Sequence, residues 1–109
     1  MEYNYYNNKL IFEGEYLEGE RNGRGKEYYE DGKLKFEGEY LNGKRNGKGK
    51  EYWANSGKLR FEGEYLNGKR NGKGKEYNFN GKLIFEGEYL NNIKLKGEIW
   101  RWILEWRKK

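Results

Sequence analysis

The chain has 109 residues and a formal charge of +5, with 38% of its residues charged and only 34% apolar. That leaves too little aliphatic material for an ordinary core, yet Phe, Trp and Tyr supply 18% of the chain, so a core has to be built mainly from rings. Zero Cys and zero His exclude disulfides, thiolate nucleophiles, zinc–sulfur sites and the usual general base.

The chain opens on Glu2-Tyr3-Asn4, which matches Glu76-Tyr77-Asn78 and therefore reads as the second strand of a hairpin unit, expected to pair with the first full hairpin. Phe-Glu-Gly-Glu-Tyr-Leu then begins at Phe12, Phe36, Phe61 and Phe85, at spacings of 24, 25 and 24 residues. A fixed period of this length marks a repeat architecture. Within the second unit Leu34, Phe36, Gly38 and Tyr40 alternate with Lys35, Glu37 and Glu39, the two-residue period of a strand with one face turned inward. Asn42-Gly43 and Asn67-Gly68 follow the first strands and supply the positive φ of two-residue type I′ turns. The second strands run Lys-Arg-Asn-Gly-Lys-Gly-Lys-Glu-Tyr, with Glu20 and Arg24 in place of two of the lysines in the first unit, and Gly25, Gly49 and Gly74 are expected to let rings lie over the backbone and Tyr28, Tyr52 and Tyr77 to anchor each strand. Lys96-Gly97-Glu98-Ile99-Trp100 aligns with Lys73-Gly74-Lys75-Glu76-Tyr77 and forms a degenerate last hairpin. Trp100, Trp102 and Trp106 follow in a segment too short for its period to separate strand from helix, and which reads as a strand that caps and closes the array, with room for a final helical turn.

The expected architecture is all-β: an elongated single-layer array of antiparallel hairpins in one domain, residues 1–109, with units near 9–32, 33–57, 58–81 and 82–100 and a Trp-rich cap at 101–109. The recurring Phe-Glu-Gly-Glu-Tyr-Leu-Asn-Gly-Lys-Arg-Asn-Gly-Lys-Gly resembles the MORN repeat, whose pattern is aromatic-x-Gly-x-aromatic, then Gly, then Gly-x-Gly. The aromatic of the second strand stands three residues after the last Gly here, where the usual unit has it two after, and this leans toward the variant found in YwqK-like proteins, which are described as antitoxin-like. The resemblance implies a twisted ribbon of hairpins that acts as an assembly or tethering module.

Glu pairs on the first strands and Lys pairs on the second fall opposite one another, a striped pattern that holds register and makes the basic pI weak grounds for a nucleic-acid face. The same Glu pair recurs in every unit, whereas a catalytic carboxylate pair is unique and sits in one pocket, and no phosphate-binding loop is present. The residues therefore point to a non-enzymatic scaffold without cofactor or metal, binding a protein partner and not nucleic acid. Tyr40, Tyr65, Trp100, Trp102 and Trp106 are the candidate docking aromatics. Two alternatives stand beside it: Arg21, Lys44, Arg45, Lys69 and Arg70 form a basic turn edge that meets anionic phospholipid, or the chain is an antitoxin-like protein with one tight partner. The terminal strands also offer pairing with a second copy. No apolar run approaches the roughly 20 residues of a membrane span and Met1 to Lys9 lacks a signal pattern, so the expected location is the cytoplasm, with peripheral contact to a membrane in the lipid reading.

Overall fold

A computed structural model describes residues 1–99, with side chains through Leu95. The described chain is all-β: strands β1 (Glu2–Tyr3), β2 (Leu10–Leu17), β3 (Glu20–Tyr28), β4 (Leu34–Leu41), β5 (Lys44–Tyr52), β6 (Leu59–Leu66), β7 (Lys69–Tyr77), β8 (Leu83–Leu90) and β9 (Ile93–Ile99) follow one another in a single antiparallel sheet in sequence order. The ribbon measures 53 × 27 × 17 Å. β1 pairs β2 through Glu2 and Tyr3, and β9 pairs β8, as the half-unit at the start and the degenerate hairpin at the end lead one to expect.

The tight turns are type I′. Asn42 and Gly43 have φ of 51° and 85°, Asn67 and Gly68 50° and 87°, and Glu18-Gly19 and Asn91-Asn92 repeat the pattern. Each such turn also leans on the preceding hairpin: Gly43 N–H donates to the Arg21 carbonyl at 2.9 Å and Gly68 N–H to the Arg45 carbonyl at 2.8 Å. At the other edge Tyr29 Oη donates to the Tyr52 carbonyl and Trp53 Nε1 to the Tyr77 carbonyl, at 2.6 and 3.2 Å. Both edges are thus stitched from one repeat to the next.

Between the edges, one glycine per strand forms a continuous cross-strand row from Gly14 on β2 to Gly97 on β9. The Phe rings lie over this row. A Cβ on Gly49 would strike the Phe36 ring, with Cε1 at 2.5 Å and Tyr65 Cε1 at 3.1 Å. Phe12, Phe36, Phe61 and Phe85 are buried in this way, and Tyr40, Tyr65 and Tyr89 interleave with them edge to face at centroid distances of 5.1 to 5.7 Å. Each such pair contributes about 0.5–1.5 kcal/mol beyond its buried area. A single sheet can in this way hold a core without a second layer, because the absent glycine side chains make room for rings that would otherwise need a facing sheet.

Arginine closes that core from outside. Arg45 lies over the Phe36 ring at 4.0 Å and reaches Tyr65 at 5.8 Å, while its Nε and Nη2 donate to Glu27 at 2.8 and 3.1 Å. Tyr40 Oη donates to the same Glu27 carboxylate. Arg70, Glu51 and Tyr65 repeat the arrangement, and in the first repeat Glu2 from β1 takes the acidic place beside Arg21 and Tyr16. At the far end Lys94 stands where the arginine would be. Glu76 there accepts from Arg70 and Lys94, and the buried Tyr89 hydroxyl lies close enough to feel its charge but has no hydrogen-bond partner of normal geometry among the described residues.

Burial alone would raise the carboxyls of Glu27 and Glu51, but hydrogen bonds from Arg45 and Tyr40, and from Arg70 and Tyr65, outweigh it and hold both below the ordinary value. Their stabilisation is full above the unfolded Glu value of about 4.3 and is lost as pH falls through the depressed folded values. Acid denaturation is therefore expected to begin below about pH 4.3, and Glu27→Gln should flatten its pH dependence while lowering stability at pH 7. An acid limb of the denaturation curve unchanged in Glu27→Gln would count against this assignment.

Candidate interaction surface

The two faces of the ribbon differ in what they leave available. The face bearing the Phe and Tyr rings is closed by arginine and glutamate. The opposite face carries charged side chains on both sides of the glycine row, whose Cα atoms form an open floor. The register sets Lys26 opposite Glu37, Glu37 opposite Lys50, Lys50 opposite Glu62 and Glu62 opposite Lys75; on the other flank Arg24 faces Glu39, Lys48 faces Glu64 and Lys73 faces Glu88. A trough of 510 Å³ runs from Arg24 across Gly38, Gly49 and Gly63 to Lys73 and Lys75.

The carboxylates in this trough are committed to the fold more than to the lysines. Gly38 pairs Gly49 and Tyr40 pairs Arg45, so Asn46, Gly47 and Lys48 bulge out against Glu39 alone. Gly47 takes φ of 103° there, and the Lys48 N–H freed by the bulge donates to Glu39 Oε2 at 2.8 Å. Glu15 and Glu64 accept the Arg24 and Lys73 amides in the same way, at 2.6 and 2.9 Å. Glu37 and Glu62 accept the hydroxyls of Tyr52 and Tyr77, both at 2.8 Å, and Glu13 that of Tyr28. These bonds anchor the three tyrosines, on the charged face rather than among the core rings, and their phenols are pushed up to about 12. The cause is the bond to Glu13 for Tyr28, and burial first, then the bonded carboxylate, for Tyr52 and Tyr77. With the acids so engaged, Lys48, Lys50 and Lys73 stand exposed without an ion pair among the described residues, and Lys75 reaches Glu86 only at 4.0 Å.

The structure redistributes the residues that the sequence singled out. Tyr40 and Tyr65 are each 4% exposed and belong to the core, so they offer no ring to a partner; the missing glycine side chains that expose the backbone are filled by these rings and the phenylalanines. The five-residue basic edge reduces to Lys44 and Lys69. Arg21, Arg45 and Arg70 turn onto the aromatic face, drawn by the rings and by Glu2, Glu27 and Glu51, with side chains 25%, 20% and 15% exposed. Leu34 also leaves the expected alternation, because the register slips at Lys35 and sets it opposite Tyr28 while Phe36 stays opposite Glu27. Trp100, Trp102 and Trp106, and with them the cap, lie outside the described residues.

Two features escaped the sequence reading. The acidic lid partners Glu27 and Glu51 sit two residues beyond Gly25 and Gly49, a spacing that puts them on the ring side and that was available as a signal. The other is a row of leucines at the tight-turn edge, Leu17, Leu41, Leu66 and Leu90, between 47% and 59% exposed, with Leu41 opposite Lys44 and Leu66 opposite Lys69. Among the described residues no group of acidic side chains is placed to hold a metal ion, and no helix is long and apolar enough to cross a membrane.

Comparison with known proteins fits this geometry. The MORN repeat family matches residues 36–58 and 61–82, each span beginning at a core phenylalanine and taking in one hairpin with its following turn. A MORN repeat variant matches residues 21–42, from the lid arginine of β3 to the tight turn after β4. No curated protein matches the chain. MORN repeats are generally associated with protein or membrane-lipid binding, in some cases as peripheral membrane contacts, and are typically non-enzymatic repeat modules. With successive hairpins matched across residues 21–82 and a nine-stranded sheet built from the same unit, the chain belongs to the MORN-repeat family.

Proposed function

We propose that this chain is a non-enzymatic, cytoplasmic scaffold that holds a protein partner along the charged trough. The observation that carries the reading is the asymmetry of the ribbon: one face is sealed by rings and arginine, while the other presents ammonium groups whose neighbouring carboxylates are already engaged by tyrosine hydroxyls and bulge amides. A rigid floor of backbone and a double file of charges binds without prior ordering of the site, which lowers the entropic cost of association. The repeated carboxylates, from Glu13 to Glu64 tied to the fold by tyrosine hydroxyls and backbone amides, are poor candidates for acid–base work.

A photo-cross-linking residue placed at Lys50, in the trough, is expected to trap a partner in lysate of the source cell, and the same residue at Leu66, on the edge, is expected to trap little. Equal trapping at both positions, or none at Lys50, defeats the trough as the binding face. A single partner retained at high salt would favour the antitoxin-like form of this reading.

The leucine row favours a second reading, peripheral binding of anionic lipid. Leu17, Leu41, Leu66 and Leu90 with Lys44 and Lys69 give an apolar edge with adjacent positive charge, and each lysine near an anionic surface contributes about 1 kcal/mol. Flotation with phosphatidylserine vesicles should then fall at least about tenfold in Lys44→Glu/Lys69→Glu. No flotation of the unaltered chain at low salt removes this reading.

A further inference from the structure

Resting on the scaffold reading, we infer that the trough is matched to an α-helix whose exposed stripe alternates acidic and basic side chains at heptad spacing. Along the ribbon each strand presents one sign: Arg24 and Lys26 on β3, Glu37 and Glu39 on β4, Lys48 and Lys50 on β5, Glu62 and Glu64 on β6, Lys73 and Lys75 on β7. Strands stand about 4.8 Å apart, so bands of like charge recur every ~9.6 Å. Within each strand the two charges flank a glycine, which leaves a track roughly 7 Å wide with no side chain rising from its floor.

This period discriminates among occupants. A helix lying along the track brings residues i and i+7 to the same face with a rise of about 10.5 Å, within ~1 Å of one repeat, and places i+3 and i+4 over the band of opposite sign between them. An extended chain on the same path shows its side chains to one face every ~6.8 Å, so like charges two steps apart stand ~13.6 Å apart and fall out of step by the second repeat. A uniform polyanion, whether nucleic acid or a lipid surface, has to cross the Glu37–Glu39 and Glu62–Glu64 bands, where it is repelled. The alternation also sets register: sliding the helix by one strand puts like charges together, and sliding it by a whole repeat restores the fit.

The test is a titration, followed by fluorescence anisotropy at low and at physiological salt, of a labelled three-heptad Ala-rich peptide with Glu at i, i+7 and i+14 and Lys at i+4 and i+11. An isomer of the same composition, with its acids in one half and its bases in the other, serves as comparison, and circular dichroism first establishes equal helicity. The alternating peptide should bind at least about tenfold more tightly than the isomer, lose that margin at high salt, and lose it also toward Lys48→Gln/Lys50→Gln/Lys73→Gln/Lys75→Gln, whose substituted side chains are exposed and outside the core. Equal binding of the two peptides, unchanged binding by the quadruple variant, or tighter binding of polyphosphate overturns the inference. If the peptides fail while the cross-linker at Lys50 still traps a protein, the helical period alone falls; if both fail, the scaffold reading falls with it.

Discussion

Gly38→Ala is expected to damage the protein more than Gly49→Ala, and shortening Phe36 should rescue the second more than the first. Both glycines belong to the same cross-strand row and face each other between β4 and β5. At Gly49 the added methyl meets the Phe36 ring and, less tightly, Tyr65, so the clash is with side chains. Overpacking of this kind costs about 1–3 kcal/mol and is relieved when the obstructing group is trimmed. At Gly38 the methyl would stand 2.9 Å from Phe36 Cζ, but it comes closer still to backbone, at 2.5 Å from the Lys48 carbonyl oxygen and 2.6 Å from the Gly49 Cα. No side-chain change removes that contact, and β4 and β5 have to separate, which breaks ladder hydrogen bonds as well as packing. A loss of at least about 3 kcal/mol follows, a large fraction of the ~5–15 kcal/mol that holds a domain of this size. Phe36→Leu should restore a larger part of the stability of Gly49→Ala than of Gly38→Ala in a denaturant titration, since in the latter only the Phe36 contact is relieved and the backbone clash stays. Because each hairpin touches only its neighbours, hydrogen exchange in Gly38→Ala should speed most in β3 to β6 and least in β8. Equal losses for the two alanines, or equal rescue of both, would contradict this packing of rings and backbone along the row.

The second large effect is alkaline unfolding with a steep onset above pH 10. Tyr40, Tyr65 and Tyr89 are buried, and burial together with the neighbouring Glu27, Glu51 and Glu76 carboxylates pushes their phenols far above the ordinary value. Below about pH 10 folded and unfolded chains hold these protons equally, so stability there does not depend on them. Above it the unfolded chain releases them and the folded chain does not, and each buried tyrosine removes about 1.4 kcal/mol of stability per pH unit. These three groups take about 4 kcal/mol per unit, and Tyr28, Tyr52 and Tyr77, more exposed to solvent, add a smaller loss up to about pH 12, enough together to unfold the array between about pH 11 and 12. Phenolate absorbance should show these tyrosines ionising together, in step with loss of the sheet signal in circular dichroism, and Tyr65→Phe should reduce the steepness by between about a sixth and a third. Gradual ionisation of all tyrosines with the sheet signal intact would falsify the buried hydroxyl–carboxylate pairs.

The same pairs explain why one part of the molecule was readable in advance and another was not. Phe36-x-Gly38-x-Tyr40 is a local pattern, and so are Asn42-Gly43 and Asn67-Gly68; alternation and turn chemistry act over a few residues, and they dictated hairpins, inward rings and sequential strand order before any tertiary contact was known. The opposition of Glu37 to Lys50 also followed from the repeat, because identical units pair in identical register. The arginines did not follow. Arg45 sits beside the turn and next to Lys44, and by position alone the two look alike. Which of them faces solvent depends on the bulge at Gly47, which resets the phase of β5, and on a ring and a carboxylate contributed by other strands: Phe36 from β4 and Glu27 from β3. Tyr40 lies in the core and not at a docking surface for a related reason. Its alternation placed it inward, but whether that side was groove or core depended on how Phe12 and Phe36 from two different hairpins closed around it.

The sequence by itself therefore determined the repeat, the hairpins, the type I′ turns, the ring-lined face and the family resemblance, all consequences of interactions within one unit. Only the tertiary structure decided that this face is sealed, that Arg21, Arg45 and Arg70 are lids and not a basic rim, and that the open surface is the glycine-floored trough with the leucine edge beside it. Those outcomes rest on contacts between successive units, where a bulge of a few residues and the reach of a long side chain choose the face, and no local periodicity encodes that choice.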